Sequence, residues 1–288
     1  MSRVLVTGAS GMLGTSLVPV LASSGYEVVR HGRSGAADVN CDLSKRTETS
    51  EMLDAVRPDI ILNLVALTNV DQCEEQVQLA YLVNVRSVEN LAAWQNHPDN
   101  KQCRLVHIST DQVYDGAGPH AEDDVVITNT YALTKYAAEI AASKSAATIL
   151  RTNFFGQSRL DGRKSFSDWL LDSLDSQNSI KTFTDVLFSP LSIQTLGEMI
   201  LRVLARPVEG VYNLGSREGM SKSDFAFMLA DIFGLDNSCM TRALSSEVNF
   251  SAYRPLDMRM DSTRFETAYD IELPTLASEI RKLRNDYE

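Results

Sequence analysis

The sequence predicts an α/β protein, in which a doubly wound parallel sheet is followed by a smaller C-terminal α/β lobe. Short apolar runs bounded by turn residues alternate with segments of helical period through about residue 155. These runs are apolar on both faces, as is typical of parallel strands that helices cover on each side. A glycine-rich turn joins the first run to the first helical segment, which favours a nucleotide-binding βα unit.

The strand-like runs of the N-terminal part are separated by stretches long enough for the crossover helices that parallel strands need. The predicted strands cover residues 3–8, 26–32, 59–66, 104–110 and 147–153. The predicted helices cover residues 10–25, 47–57, 72–96 and 130–145. Together they predict a Rossmann-type domain over residues 1–155, completed by about residues 185–208.

Beyond residue 155 the pattern is less regular. Further helices are predicted over residues 162–174, 192–205 and 221–234, and a short strand over 210–215. Ser221 is the expected N-cap of the third of these helices, and a final helix-like segment lies within 244–288. We expect residues 156–184 and 209–288 to form the smaller lobe, which would bind the substrate.

Composition restricts the class of partner. The 288 residues are 44% apolar and 23% charged, which are ordinary values for a soluble globular protein. The formal net charge of -11 argues against nucleic acid or an anionic membrane as the main partner. It does not exclude a phosphorylated small molecule, because a local arginine can bind phosphate on an acidic protein.

The cysteines favour a reducing compartment. Cys41, Cys73, Cys103 and Cys239 are widely separated and form no Cys-x-x-Cys pair, so neither a disulfide framework nor a metal site is expected. A strand-like run begins at Arg3 and leaves no room for a signal peptide, and no apolar run reaches membrane-spanning length. We expect a cytoplasmic protein.

The turn after the first strand reads VTGASGMLG and places Gly8, Gly11 and Gly14 in G-x-x-G-x-x-G spacing. Gly8 permits a tight turn, Gly11 lets the backbone approach a pyrophosphate at the helix N-terminus, and Gly14 allows close helix–strand packing. Dinucleotide binding is therefore favoured over three glycines that merely shape a turn. The predicted cofactor contacts in this loop are Gly8, Ser10, Gly11, Met12 and Leu13.

The end of the second strand favours NADP. An acidic residue there would bond the ribose 2′-hydroxyl of NAD, but the sequence reads VVRHGRSG, with no carboxylate before Asp38. A guanidinium can hold a 2′-phosphate in a bidentate fork. Among Arg30, His31 and Arg33 we favour Arg33, because it follows the strand. The alternative is that these are solvated surface charges, and NAD is the less favoured cofactor.

The segment TYALTKYAAEIAA places Tyr131 and Lys135 four residues apart, on one face of a helix. A free phenol titrates near pH ~10, and a nearby ammonium lowers that pKa by favouring the phenolate. The pair can therefore donate a proton to a carbonyl oxygen during hydride transfer, and Lys135 can also bond the nicotinamide ribose. Tyr136 is less suitable because it follows Tyr131 by five residues and so projects about 140° around the helix from it. The spacing alone is weak evidence, since most such pairs are ordinary helix surface.

Further segments follow a recognisable order along nearly the whole chain. They read CDLS at 41–44, NLVALTNVDQCE at 63–74, VNVRSVENLA at 83–92, STDQVYDG at 109–116, ILRTNFFG at 149–156 and RPLDMRMD at 254–261. With the glycine loop and the YALTK segment, they resemble the extended short-chain dehydrogenase/reductases, and within them the dTDP-4-dehydrorhamnose reductases.

This resemblance implies reduction of the 4-keto group of a nucleotide-activated deoxysugar with NADPH or NADH, as in dTDP-rhamnose and polysaccharide biosynthesis. It implies that Thr110 bonds the keto oxygen beside Tyr131, with Lys135 completing the catalytic set. The adenine and ribose side of the cofactor would be lined by Asp42, Leu43, Val65, Ala66 and Leu67. The substrate side would include Thr110, Asp111, Gln112, Asn153, Phe154 and Arg254. A homodimer is a further expectation from the family.

Two of the residues taken from the resemblance have less definite roles. Arg254 could pair with the substrate diphosphate, or it could belong to a surface ion pair with Asp257 or Asp261. Asn84, on the long helix after the third strand, could fix a backbone kink near the nicotinamide.

The chain departs from the family pattern on the substrate side. Gln112 stands where an aromatic residue is common, and Phe154 where a tryptophan faces the sugar. Asp257 and Met258 replace an Asn-Ser pair. The identity of the sugar is therefore more open than the cofactor chemistry.

The related nucleotide-sugar 4,6-dehydratases carry Thr-Asp-Glu where this chain has Thr110, Asp111 and Gln112. Gln112 takes up no proton at physiological pH, so the elimination lacks its base. Hydride transfer still has Thr110 as hydrogen-bond donor and Tyr131 as proton donor. Alternatively, Thr110 and Asp111 form a strand-end turn bonded to local backbone. His107, within the strand, is expected to be buried rather than catalytic.

Three functions stay open. The favoured one is a nucleotide-sugar 4-ketoreductase, which exchanges its cofactor in every turnover. The second is another enzyme of the superfamily, an epimerase or epimerase-reductase, which would retain and recycle its cofactor. The third is a non-catalytic NADP-binding regulatory subunit, against which the intact Thr110, Tyr131 and Lys135 argue. The sequence leaves the nucleotide, the sugar and the stereochemistry of the product undetermined.

Overall fold

The computed structural model describes residues 1–287. Its strands are β1 (Arg3–Thr7), β2 (Glu27–Gly32), β3 (Val39–Asn40), β4 (Ile60–Asn63), β5 (Arg104–Thr110), β6 (Ala147–Thr152), β7 (Phe154–Phe155), β8 (Ile180–Phe183), β9 (Leu187–Phe188), β10 (Leu191–Ser192), β11 (Gly210–Leu214), β12 (Met220–Ser221) and β13 (Met240–Ala243). Its helices are α1 (Met12–Ser23), α2 (Arg46–Val56), α3 (Val70–Glu75), α4 (Val77–Ala80), α5 (Ser87–Gln95), α6 (Thr130–Ala142), α7 (Phe166–Asp175), α8 (Ile193–Ala205), α9 (Lys222–Phe233), α10 (Thr263–Tyr269), α11 (Leu276–Lys282) and α12 (Arg284–Tyr287).

The central sheet has seven parallel strands in the order β11-β6-β5-β4-β1-β2-β3, which confirms the predicted doubly wound fold class. From β1 the chain proceeds outward through β2 and β3, and then returns to β4 on the other side of β1. Val4 of β1 accordingly lies opposite Val28 of β2 and Ile60 of β4. In open α/β sheets, ligands bind at the carboxyl ends of the strands beside such a reversal. The ends of β1 and β4 mark that place here.

Each of the five strands predicted for the N-terminal part is present, and β5 has the predicted bounds. The single helix predicted over residues 72–96 is wrong. It is interrupted at Gln76, whose φ of -125° and ψ of 60° are not helical, and by a π-helical turn over Tyr81–Arg86. Residues 72–96 contain neither glycine nor proline, so no helix-breaking residue marked either interruption.

Packing divides the chain into two compact units. Unit 1 comprises Met1–Thr110, Asn129–Arg151 and Gly197–Tyr212. Unit 2 comprises Asp111–Thr128, Thr152–Leu196 and the described residues from Asn213 onward. The structure therefore assigns residues 111–128 and 152–155 to the second unit, whereas the sequence interpretation had them in the first domain.

The core of unit 1 lies between the sheet and its helices. Leu5, Ile61 and Leu105 are fully buried on three neighbouring strands. Leu53 of α2 and Leu91 of α5 pack in the same cluster. Burial of apolar surface contributes about 25 cal/mol per Å² to folding. Because this layer is stabilised in that way, the strand ends and the residues that follow them have fixed positions.

Unit 2 is built around an aromatic cluster. The Phe225 ring of α9 lies 5.0 Å from that of Phe155, and 5.5 Å from those of Phe166 and Phe188, between ring centroids. The predicted cap of α9 is confirmed, because Ser221 accepts a hydrogen bond from the Asp224 backbone nitrogen. Unit 2 also contains the two-stranded pairs β7/β10, β9/β12 and β8/β13.

Across residues 1–287, the structure contains no helix with the length and apolar character needed to span a membrane.

Candidate active site

The glycine loop between β1 and α1 has the geometry of a phosphate-binding turn. Gly8 has a φ of 68°, a left-handed conformation that favours glycine, and a β-carbon there would lie 3.2 Å from backbone atoms of Leu64 and Val65. At Gly14 a β-carbon would lie 2.5 Å from the Ala9 oxygen, so α1 packs directly on the loop. Both positions exclude a side chain.

The first N–H groups of α1 are available to an anion. Gly11 is the N-cap of this helix, and because it has no side chain it does not cover the N–H groups that the first helical turn leaves without partners. Ser10 is exposed and Met12 half-buried, whereas Leu13 packs in the core. A pyrophosphate fits this helix end by charge and by donor chemistry.

Asn63, at the end of β4, joins three neighbouring strands. Its side chain accepts hydrogen bonds from Thr7 Oγ1 at 2.5 Å and from the Val65 nitrogen at 3.3 Å, and it donates to His107 Nδ1 at 2.9 Å. His107 is fully buried, as predicted, and burial keeps its pKa well below the ordinary value. The imidazole is therefore neutral, and the network is uncharged.

Asn84 lies in the π-helical turn and is buried. Its side-chain oxygen accepts from the Leu67 nitrogen at 2.7 Å, and its side-chain nitrogen donates to the Leu67 oxygen at 3.3 Å and to Thr134 Oγ1 at 3.0 Å. π-Helical turns occur frequently at functional sites. Here the turn fixes the backbone at Leu67, which follows Val65 and Ala66 in the predicted cofactor contacts, all three half-buried.

The three basic residues at the end of β2 have different environments. Arg30 forms an ion pair with Asp38, with 2.6 Å between Nη2 and Oδ1, and His31 is buried. Arg33 lies just beyond β2 and is exposed. Arg30 is exposed as well, but Asp38 occupies its guanidinium, so Arg33 is the better placed of the three to bind a phosphate.

The segment after β3 offers one side chain and one backbone to a cofactor. Asp42 is half-buried, and its pKa is lowered chiefly by a hydrogen bond from Ser44 and less by the charge of Arg33. The Leu43 side chain is packed in the core of unit 1, and its carbonyl accepts from Asn90 at 2.8 Å. Because its side chain lies in the core, Leu43 can contact a cofactor only through its backbone.

Helix α6 and strand β5 bring the three predicted catalytic residues into one region of unit 1. Asn129 caps the N-terminus of α6. Tyr131 lies in the first turn of this helix and Lys135 one turn further on, and the two residues are 6% and 2% exposed. Lys135 Nζ donates to the Ile108 oxygen of β5 at 2.7 Å. Thr110 ends the same strand two residues later and is 5% exposed. The lysine thus holds the helix on the strand that ends in Thr110.

The charge of Lys135 depends on two opposing effects. Burial lowers its pKa to about 8, and the carboxylate of Glu139 opposes that shift. The side chain is therefore mostly an ammonium at neutral pH and loses its proton in the mildly alkaline range. An ammonium in this position favours the phenolate form of a neighbouring tyrosine.

The cysteines are free thiols. Burial raises the pKa of Cys41 and Cys73 to about 11 and that of Cys103 to about 12. These thiols are protonated at neutral pH and are poor nucleophiles. In the part of the chain described, no group of three or more His, Cys, Asp or Glu side chains is arranged to hold a metal ion.

The predicted substrate residues other than Thr110 lie in unit 2, where some of them form a charged cluster. Asp111 is buried and accepts a hydrogen bond from Asn153 Nδ2 at 2.7 Å. Lys222, the first residue of α9, is half-buried with Nζ 5.8 Å from the centroid of the Phe166 ring. Burial lowers the pKa of Lys222; the charge of Asp111 opposes this shift, and that of Arg254 adds to it.

The positions that depart from the family pattern differ in accessibility. Gln112 and Phe154 are half-buried, Gln112 in a 3-10 turn and Phe154 in β7. Met258 belongs to the core of unit 2. Asp257 pairs with Arg259 through two oxygens, at 2.9 and 2.6 Å, which is a pairing that the sequence interpretation did not include. The two tail replacements therefore serve packing within unit 2.

Sequence reasoning did not identify three residues of these regions. Glu139 continues the four-residue spacing of Tyr131 and Lys135 on α6, and that spacing was a usable signal. Asn63 ends a strand and resembles any buried strand residue in sequence. Lys222 follows a helix cap, where a lysine carries no signal of its own.

Comparison with known proteins places the chain among reductases of this fold. The family described as RmlD substrate binding domain matches residues 2–288. The chain is 28% identical to the probable low-salt glycan biosynthesis reductase Agl14 of Haloferax volcanii, with 96% of each protein covered. It is 27% identical to the dTDP-4-dehydrorhamnose reductase of Aggregatibacter actinomycetemcomitans, covering 94% of this chain and 95% of that protein. The crystal structure of the Bacillus anthracis dTDP-4-dehydrorhamnose reductase in complex with NADP has the same fold, with a TM-score of 0.89 at 23% identity and 99% of each chain covered.

Proposed function

Because the chain belongs to the RmlD substrate binding domain family and is an oxidoreductase of the short-chain dehydrogenase/reductase superfamily, we propose that it reduces the 4-keto group of a nucleotide-activated deoxysugar with NADPH. The observation that carries this proposal is the arrangement of Tyr131, Lys135 and Thr110 at the end of β5 and the start of α6. The glycine loop of the same unit supplies the cofactor cradle.

The residues of unit 1 fit a dinucleotide. Gly8 and Gly14 let the loop pack closely against Leu64, Val65 and Ala9, and the start of α1, which follows the loop, can hold the pyrophosphate. We assign the adenosine ribose to Asp42 and its 2′-phosphate to the exposed Arg33, which can form a bidentate fork. This assignment supports NADP over NAD.

In the proposed reaction Tyr131 donates its phenolic proton to the keto oxygen as the carbonyl carbon becomes a secondary alcohol. Bound NADPH would supply the hydride. Thr110 donates a hydrogen bond to the same oxygen and so stabilises the negative charge that develops on it. Lys135 keeps the phenol acidic by its positive charge, and solvent later returns the proton to Tyr131.

The cluster in unit 2 supports a nucleotide-sugar substrate. Arg254 and Lys222 can bind the diphosphate, since two cations near each other favour an anion between them. Asp111 and Asn153, which are hydrogen-bonded to each other, offer polar groups to sugar hydroxyls, and Phe154 offers an apolar face. Because relatives along the full length are named as dTDP-sugar and glycan reductases, a dTDP-linked 4-keto-6-deoxyhexose is the first substrate to test.

Gln112 supports reduction over dehydration. The dehydratases of this superfamily use a carboxyl group at this position, and an amide cannot accept the proton that the elimination removes. An epimerase would share Tyr131 and Lys135 but would keep its cofactor bound between turnovers. Cofactor exchange therefore separates the two activities.

The test combines a substrate panel with cofactor retention. Purified protein is incubated with NADPH and nucleotide-linked 4-keto-hexoses that differ in the base and the sugar, and absorbance at the NADPH maximum is followed. We expect stoichiometric NADPH loss with at least one dTDP-linked ketone, and protein that leaves gel filtration without nicotinamide. Retained cofactor with no net oxidation would point to an epimerase. No turnover by wild type or Tyr131→Phe, with NADPH binding intact, would point to a regulatory protein.

A further inference from the structure

A buried carboxylate lies one helical turn beyond Lys135. Tyr131, Lys135 and Glu139 follow one another at four-residue intervals on α6, so they share one face of the helix. Glu139 is 2% exposed, and an ionised carboxylate at that depth requires close partners.

Glu139 is held from two strands. Arg151 of β6 donates to both of its oxygens, from Nε at 3.0 and 3.1 Å and from Nη2 at 2.6 Å. Ser109 of β5 donates a further hydrogen bond to it from its hydroxyl. Arg151 is itself 2% exposed, so the ion pair is excluded from water.

The same strand segment holds both charged residues of α6. Ile108 accepts from Lys135 through its carbonyl at 2.7 Å, and the next residue, Ser109, binds Glu139. Thr110 follows directly. The orientation of Lys135 and the position of Glu139 are thus fixed against the two residues that precede the proposed substrate-binding threonine.

A purely structural role explains this pair poorly. Replacing a buried ion pair by apolar residues of similar size is often neutral or stabilising, because removing two charges from water costs about as much as their attraction returns. Apolar residues could not replace the pair if its electric field changed the charge state of a third, titratable group. Lys135 is such a group.

The elements packed against Lys135 each carry a titratable or charged residue. On β5, His107 is neutral because burial keeps its pKa well below the ordinary value. On β6, the Arg151 guanidinium is directed at Glu139, with which it forms an ion pair, and it is not among the charges that shift the Lys135 pKa. On α6, the carboxylate of Glu139 raises the pKa of Lys135 against the effect of burial. Among these described neighbours, Glu139 is the one that favours the ammonium.

We propose that Glu139, held by Arg151 and Ser109, is a positioning residue that keeps Lys135 charged at neutral pH and directed toward the Ile108 carbonyl. The proposal builds on the function proposed above, in which the Lys135 ammonium acidifies Tyr131. On this proposal, the Arg151–Glu139 pair determines the upper limit of the pH range in which the reductase is active.

The test uses a double variant, because Glu139→Gln alone would leave Arg151 buried without its counter-ion. Glu139→Gln with Arg151→Met removes both charges while conserving volume and the acceptor for Ser109. We expect the pKa of Lys135 to fall below its wild-type value, because the carboxylate that opposes the effect of burial is removed, and the alkaline decline of kcat/KM to move down with it. Glu139→Asp, which keeps the carboxylate, should restore a profile close to wild type.

The control is Glu279→Gln. Glu279 is a second fully buried carboxylate, which accepts from Ser192 and Lys282 in unit 2, so its loss reproduces the removal of a buried acid. We expect this variant to be less stable but to keep the wild-type pH profile.

The Lys135 pKa is read directly by NMR of the lysine side-chain ε-carbons in the full-length protein, with Lys135→Arg to assign the signal. This readout needs no substrate, so failure of the proposed reaction would leave it intact. A shifted Lys135 pKa without turnover of any ketone would refute the proposed function and support the present inference. An unshifted pKa in the folded double variant would overturn the inference.

Discussion

Two lysines, one in each unit, have pKa values that burial lowers, but their surroundings differ. Lys135 is 2% exposed, bonded to a carbonyl oxygen at 2.7 Å, and supported by the carboxylate of Glu139. Lys222 is half-buried, packs over an aromatic ring, and has Arg254 as a cationic neighbour. The first is held by a hydrogen bond within the protein, whereas we propose that the second binds an anionic group of the substrate.

Desolvation of an ammonium can therefore support either catalysis or binding, depending on which charged groups surround the lysine. A lysine with a fixed hydrogen bond and a nearby carboxylate holds a constant charge for a proton donor. A lysine beside a second cation gains most when an anion enters. The two should therefore affect different kinetic constants.

The largest expected effect follows from Lys135→Met. Without the ammonium, the Tyr131 phenol is a weaker acid at neutral pH, and we expect kcat to fall by about 10² to 10⁴-fold. Steady-state NADPH oxidation measures it, with circular dichroism to establish folding. A kcat within threefold of wild type would show that the lysine takes no part in the chemistry.

Arg33→Asp tests the cofactor side of unit 1 by adding a carboxylate where the 2′-phosphate is expected. We expect the Kd for NADPH to rise by about 10 to 100-fold, because a bidentate contact is lost and a repulsion is added. The Kd for NADH should change less than threefold. Fluorescence titration gives both constants, and equal losses would contradict the NADP assignment.

Lys222→Gln tests the other half of the comparison. We expect KM for the nucleotide sugar to rise by about tenfold, since one charge-assisted contact to phosphate is lost, with kcat changed less than twofold. The exposed Lys181, which pairs with Glu247 at 3.3 Å, provides the control: Lys181→Gln should leave both constants unchanged. A fall in kcat with constant KM would assign Lys222 to the chemistry instead.

His107→Gln gives the smallest effect, on stability rather than rate. His107 is neutral in the folded protein because its pKa lies well below the ordinary value, so the unfolded chain binds a proton more readily below pH ~6.5. Its neutral form stabilises the fold above that pH, and the contribution is lost as pH falls, by up to about 1.4 kcal/mol per pH unit.

Urea unfolding at pH 7.5, 6.5 and 5.5 measures this slope for wild type and variant. We expect His107→Gln to have the flatter dependence, with a residual slope from His31, whose pKa burial also lowers. Parallel pH dependences in the two proteins would be inconsistent with a neutral, buried His107.

The sequence was most informative where chemistry and local structure coincide. Strand β5 has its predicted bounds, and the Ser221 cap is present, because short apolar runs and capping residues are local features of the sequence. Gly8, which was expected to permit a tight turn, has a left-handed conformation with a φ of 68°.

Partners distant in sequence could not be predicted in the same way. Arg151 and Glu139 meet only because β6 and α6 are packed together, and neither residue type indicates its partner. Leu43 was expected to line the cofactor through its place in a motif, but its side chain fills the core of unit 1. The π-helical turn within the predicted helix over 72–96 contains Asn84, which bonds to Leu67, seventeen residues away.

Hydride transfer to the keto carbon is tested most directly with a dTDP-linked 4-keto-6-deoxyhexose and NADPH that carries deuterium at both positions of nicotinamide C4. For wild-type protein we predict one deuterium at C4 of the sugar product by NMR, and for Tyr131→Phe a rate at least about 10²-fold lower. Deuterium absent from C4, or equal rates in the two proteins, would contradict the account.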